Sequence, residues 1–289
     1  MMNQLAPSSL VFLSMLSCSG KTSSSLQYTD CILTTASSDI PTDIYEIQSL
    51  TASPHHGQFT KSMTVYGITL VAKDDVSDAF LQTVGQAIVE IFPSDAEDPS
   101  TQQEIIQNLH RYNALIPVFA GGEAGIDPQA IESIPGDHSI CDIIMSDTDG
   151  GQVMEVVEHL LHMISNVGLH YSHLDQWGLS NQSALYLSMQ EAISSGIYNT
   201  TDYQSIDEEH ILQRILLQEY AYWIISSHWD LQTEYGPNDG FEWKATTPQQ
   251  LQDDLPSAHT LIQSTIAKTM ASPSAETLSI LEGYEAASN

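Results

Sequence analysis

The chain has 289 residues, 42% hydrophobic and 15% charged, enough for a sizeable core. Seven Lys and Arg stand against 37 Asp and Glu, a formal charge of −30. That balance excludes the basic footprint that nucleic acid or anionic lipid headgroups require, and it describes a self-repelling acidic surface suited to a salty exterior.

The chain opens on a short apolar run over 10–16, too short to span a bilayer, followed by Ser17-Cys18-Ser19-Gly20. Residues 1–18 read as an export signal. The small residue before Cys18 and the Ser/Thr/Gly stretch after it resemble a bacterial lipoprotein cleavage site. That resemblance implies a lipid on Cys18, although Leu16 stands where a small residue is usual and no Lys or Arg precedes the run. Plain secretion with cleavage near Ser17 to Ser19, or a buried first strand, are the alternatives. With Cys18 lipidated or removed, Cys31 and Cys141 are left as an even pair. They form either one disulfide across a long loop or two buried thiols. No CxxC occurs, so cysteine-ligated zinc is not expected.

Residues 19–42 are rich in Ser and Thr and read as a tether. Residues 43–148 read as a small α/β unit. Strands are predicted at 44–50 and 63–71, a helix at 76–92 stopped by Pro93, and a helix at 101–112. A buried strand at 115–119 ends at Gly121-Gly122, and another follows at 141–145. Asp147-Thr148-Asp149-Gly150-Gly151 reads as a turn and helix cap. As a calcium loop it fails, because Gly151 and Gln152 stand where a ligand and the turn glycine belong. Residues 149–289 read as helical: 152–167 with Gly168 as the stop, 181–195, 207–227, and short helices over 247–286 broken by Pro248, Pro256 and Pro273. The expected fold class is α+β, a small N-terminal α/β unit followed by a mostly helical half.

The chemistry concentrates in the 152–167 helix. Glu155, Glu158, His159 and His162 share one stripe, and Val153, Val156, Val157, Leu160, Leu161 and Ile164 share the opposite one. Glu and His at spacings of three and four present ligands to a divalent metal; a solvated helix face is the other reading. In the 207–227 helix, Glu219 lies among Leu212, Ile215, Leu216, Tyr222 and Trp223. A carboxylate there must be paired, protonated or coordinating. Arg214 lies five residues away on another side of the helix.

Glu158-His159-Leu160-Leu161-His162 and Glu219-Tyr220, about 57 residues on, resemble the gluzincin layout of zinc peptidases, in which one helix carries HExxH and the next a Glu ligand. The resemblance covers mainly 150–230. Here the first His and Glu are exchanged. Carried over by position, it implies Glu158, His162 and Glu219 as zinc ligands, with His159 where the general base belongs. Alternatively His159 and His162 both ligate and Glu155 or Glu158 is the base, or the fold persists without catalysis. Tyr220 or Tyr222 is then the donor to a developing oxyanion. The implied function is a secreted or lipid-anchored zinc hydrolase acting on a peptide or protein. The alternative is a non-catalytic extracellular or envelope binding protein. The whole chain also resembles a group of secreted acidic proteins from marine organisms, through 65–72, Val76-Ser-Asp78, Asn113-Ala-Leu115, the Glu/His helix and 219–223. That likeness implies the order of segments and no reaction.

His170 and His173 follow the first helix and read either as extra ligands or as loop histidines with ordinary hydrogen bonds. Ser165 and Gly168 stand where a metzincin requires Gly and His, so that pattern fails. No G-x-S-x-G, Walker A or Rossmann fingerprint occurs.

Overall fold

A computed structural model describes residues 31–284, apart from Asp147, Asp149, Gly150, Asn238 and Asp239. The expected export signal at 1–18, Cys18 and the first part of the expected tether lie outside these residues, and the expected 147–151 turn lies partly outside them. The architecture is α+β. Strands β1 (Thr51–His56), β2 (Phe59–Val65) and β3 (Ile68–Ala72) form an antiparallel meander. After helices α1 (Asp78–Ile91) and α2 (Pro99–Arg111), β4 (Leu115–Ala120) adds parallel to β3. After the short α3 (Pro128–Glu132), β5 (Ile144–Ser146) adds parallel to β4, giving the sheet order β1-β2-β3-β4-β5.

The 63–71 segment, expected as one strand, is two. Tyr66 and Gly67 both take positive φ (49° and 84°), and Val65 pairs with Ile68 across them. A two-residue turn with both centres left-handed matches the twist of a hairpin. Gly67 is further required because a Cβ there would come within 2.7 Å of the His110 backbone nitrogen. The strand expected at 44–50 is reduced to a single bridge, Ile47 to Val65, and the strand expected at 141–145 begins only at Ile144.

Helix α1 is capped by Ser77, whose Oγ accepts from Phe80 N; it packs against β2 and buries Phe80, Val84, Ala87 and Ile88. Asp98 caps α2, with Pro99 in the first turn, where its missing N–H costs nothing. The other sheet face carries a smaller cluster of Phe59, Val71, Leu115, Phe119 and Ala130.

Helix α4 (Gln152–Met163) follows β5 and packs beside it. It does not stop at Gly168. A π-helical segment, Ile164–Leu169, carries the helix on into α5 (His170–Ser172). Gly168 serves close packing instead: a Cβ there would meet Ile105 of α2 at 2.8 Å. After α6 (Leu174–Trp177) and α7 (Ala184–Ser194), the long α8 (Glu209–His228) packs against α4 and is surrounded by α7, α9 (Leu231–Tyr235), α10 (Pro248–Asp254) and α11 (Pro256–Ser264). Burial on nearly all sides matches its apolar sequence. Helices α12 (Ile266–Thr269) and α13 (Ala275–Glu282) complete the chain, α13 lying against α1 and α4. One continuous core joins sheet and helices, from Ile32 to Leu281.

Cys31 and Cys141 are joined by a disulfide, with Cα atoms 4.5 Å apart. It ties the start of the described chain to the segment leading into β5, where Leu33 N also donates to Ser139 Oγ. Among the described residues, no helix is long and apolar enough to cross a membrane.

Candidate metal centre

The Glu/His stripe of α4 is not a solvated face. His159 and His162 are each 1% exposed, because α8 covers the stripe. Three segments meet there: α4 with Glu155, Glu158, His159 and His162; α8 with Gln218, Glu219 and Tyr222; and the stretch before β5 with Asp142.

His162 lies at the middle. Its Nδ1 is 2.6 Å from Asp142 Oδ2 and its Nε2 is 3.4 Å from Glu219 Oε2. An ionised carboxylate only accepts, so Nδ1 carries the proton donated to Asp142. Gln218 Nε2 lies 3.0 Å from that Nδ1 and 3.5 Å from Asp142 Oδ2. The Gln218 amide is fixed by its other end, where Oε1 accepts from Arg214 Nη1 at 2.9 Å and from Asn166 Nδ2. Arg214 and Asn166 therefore turn the amide's N–H group towards Asp142, which in turn orients His162. Arg214, on another side of the helix from Glu219, is buried and reaches the site through Gln218.

His159 is arranged in parallel. Its Nδ1 is 3.1 Å from Glu155 Oε1, one turn earlier, and its Nε2 faces Asp142 Oδ1 at 3.6 Å and Glu158 Oε1 at 3.9 Å. Glu155 is itself held, since its Oε1 accepts from Met145 N of β5 at 2.8 Å. Neither nitrogen of His159, nor Nε2 of His162, makes a hydrogen bond of acceptable geometry, although all three are buried. A buried polar atom without a partner is costly. Here the unpartnered Nε2 atoms face carboxylates rather than apolar side chains.

Two overlapping groups have donor atoms all within 4.8 Å of one another: Glu158, His162 and Glu219, and Asp142, His159 and His162. The structure thus brings together the three residues that the gluzincin resemblance implies as ligands. His159 stands beside them, next to Glu158. Tyr222 packs edge-on to the His162 ring, centroids 5.9 Å apart, and its hydroxyl accepts from Gln232 Nε2 at 3.2 Å, leaving its own proton free to donate. Tyr220, the other candidate oxyanion donor, points to α7: its hydroxyl lies 2.6 Å from Ser188 Oγ. One step along a helix turns a side chain by about 100°, which separates Tyr220 from Glu219.

Charge dominates the site. Burial and then the Glu219 charge push the Glu158 carboxyl up to about 8, against the pull of both imidazoles. Burial resists charging of His162, but Glu219 and the Asp142 hydrogen bond outweigh it and push the imidazole up to about 10. His159 is raised in the same way by Asp142 and Glu155. Burial would raise Asp142, yet the two imidazoles hold it below the usual carboxylate range. Glu242, which accepts from the Tyr203 hydroxyl and from Trp223 Nε1 at 3.3 Å, is pushed up to about 7 by burial and by Glu219. The pattern is that of a carboxylate-rich pocket short of positive charge.

Asp142, Gln218 and Glu242 were not singled out from the sequence. Asp142 was assigned to a strand interior, and nothing local marks Glu242. His170 and His173 join neither group: His170 Nδ1 accepts from Leu179 N at 3.2 Å. No family model matches this chain, and neither the curated proteins nor the solved structures include a match.

Proposed function

We propose that this chain is a metalloprotein of the secretory route or cell envelope, with zinc held by Glu158, His162 Nε2 and Glu219, and that the centre serves hydrolysis of a peptide or protein. The observation that carries the reading is His162, which has a carboxylate on Nδ1 and an unpartnered Nε2 3.4 Å from Glu219, in one group with Glu158. That is how a metal-binding imidazole is oriented and its tautomer fixed. A mixed nitrogen and oxygen donor set suits zinc, with a fourth position left for water or substrate. Bound there, zinc supplies Lewis-acid chemistry, lowering the pKa of water and polarising a carbonyl.

The chain's own residues supply the rest. Asp142 and Gln218 hold the His162 ring. Glu155 Oε1 lies 3.1 Å from His159 Nδ1, and His159 can take or give a proton at Nε2, beside Glu158. Tyr222 offers a hydroxyl proton to a developing oxyanion. The Cys31–Cys141 disulfide supports an oxidising compartment, in line with the export signal read from residues 1–18.

A second reading is a non-catalytic protein whose metal is structural. It is favoured by burial, since even Glu158, the most exposed of the three ligands, has a side chain only 18% exposed. The test is zinc content by elemental analysis of wild type and His162→Ala, with hydrolysis of a quenched-fluorescent peptide library measured in parallel. Zinc lost in the variant together with chelator-sensitive cleavage supports the enzyme. Zinc without cleavage supports the structural reading. A wild type that takes no zinc overturns both.

A further inference from the structure

Five carboxylates, those of Asp142, Glu155, Glu158, Glu219 and Glu242, act on the two imidazoles or on one another. A first ion held by Glu158, His162 and Glu219 leaves Asp142 and His159 outside its ligand set. His159 contributes nothing to that first ion, yet it is 1% exposed and neither of its nitrogens has a hydrogen bond. Its Nε2 points at Asp142 Oδ1 and Glu158 Oε1, 3.6 Å and 3.9 Å away. Donors bound to one ion at about 2.0–2.2 Å lie roughly 3–4 Å apart, and both separations fall in that range.

We propose that the centre takes a second divalent cation, held by His159 Nε2 and Asp142 Oδ1, with Glu158 shared between the two ions. The inference rests on the reading that Glu158, His162 and Glu219 hold the first. Asp142 can serve both ions because its oxygens are divided: Oδ2 accepts the His162 Nδ1 proton, and Oδ1 faces His159. Glu158 can be shared because it belongs to the His162–Glu219 group and also lies beside His159. Glu155 Oε1 stands 3.1 Å from His159 Nδ1, as Asp142 Oδ2 stands 2.6 Å from His162 Nδ1, so each imidazole has a carboxylate beside Nδ1 and an open Nε2. The competing occupant of the second position is a proton on His159.

The experiment is native mass spectrometry of chelator-stripped full-length protein titrated with zinc, for wild type, His159→Gln and the His159→Gln/His162→Gln pair. Two ions per wild-type chain, one in His159→Gln and none in the pair support the proposal. Wild type saturating at one ion, with His159→Gln unchanged, overturns the second position and leaves the first intact. Wild type taking none overturns the first reading and this one with it. Electron paramagnetic resonance of the manganese-loaded wild type decides the matter without a variant. A spin-coupled spectrum at two equivalents supports a shared ligand, and isolated-ion spectra at all loadings overturn it.

Discussion

Asp142 Oδ2 accepts from His162 Nδ1 at 2.6 Å, joining a residue just past a disulfide to the middle of a helix twenty positions later. The bond fixes which nitrogen of His162 faces Glu219. Asp142→Asn removes the charge that holds the proton on Nδ1. Zinc affinity should fall by about 10–100-fold, the usual cost of losing such a partner, while the far-UV dichroism is unchanged. Chelator competition measures it, and an unchanged affinity would remove Asp142 from the centre.

Gln218 connects that pair to Arg214 and Asn166. Gln218→Leu leaves two buried donors without their acceptor. The expected destabilisation is about 1–3 kcal/mol, the desolvation cost of such a group. Urea unfolding reads it. Gln218→Glu, which keeps the acceptor oxygen, should recover part of the loss.

The helices that carry this network were legible in the sequence because their apolar periodicity is strong. Glu158, His162 and Glu219 were legible because a carboxylate and an imidazole at one helical spacing, and a buried Glu in an apolar helix, are rare. Asp142 was not legible: what places it is the crossover into β5 and the tie from Cys141 to Cys31, a relation across 110 positions. Gln218 was hidden because an uncharged amide beside Glu219 carries no pattern of its own. Gly168 was misread as a helix stop because a glycine needed for contact with Ile105 looks the same in sequence as one needed for a cap.

His170 makes the protein acid-sensitive independently of the metal. Burial pushes its imidazole down from 6.5 to about 4, and its Nδ1 accepts from Leu179 N. Above pH 6.5 folded and unfolded chains both hold it neutral, so it has no effect. Between about 6.5 and 4 the unfolded chain takes the proton and the folded one does not, so stability falls as pH falls and levels off below about 4. His170→Gln should flatten that part of the stability curve. An identical slope in wild type and variant would assign the acid limb to other groups.

The Cys31–Cys141 disulfide closes a long loop. Loop-closure entropy for about 100 residues suggests a contribution of roughly 4–5 kcal/mol, with measured losses commonly about 2–5 kcal/mol. The Cys31→Ser/Cys141→Ser pair should unfold at lower urea and bind zinc more weakly, because Asp142 adjoins the tie. Weakened stability with full zinc affinity would show that the β5 approach is held in place without it.

The most direct test of the centre itself is anomalous diffraction at the zinc edge from crystals grown with zinc. The account predicts a peak about 2.0–2.2 Å from His162 Nε2 and from carboxylate oxygens of Glu158 and Glu219. Zinc only at surface carboxylates, with a well-ordered His162 lacking any peak at Nε2, would contradict it.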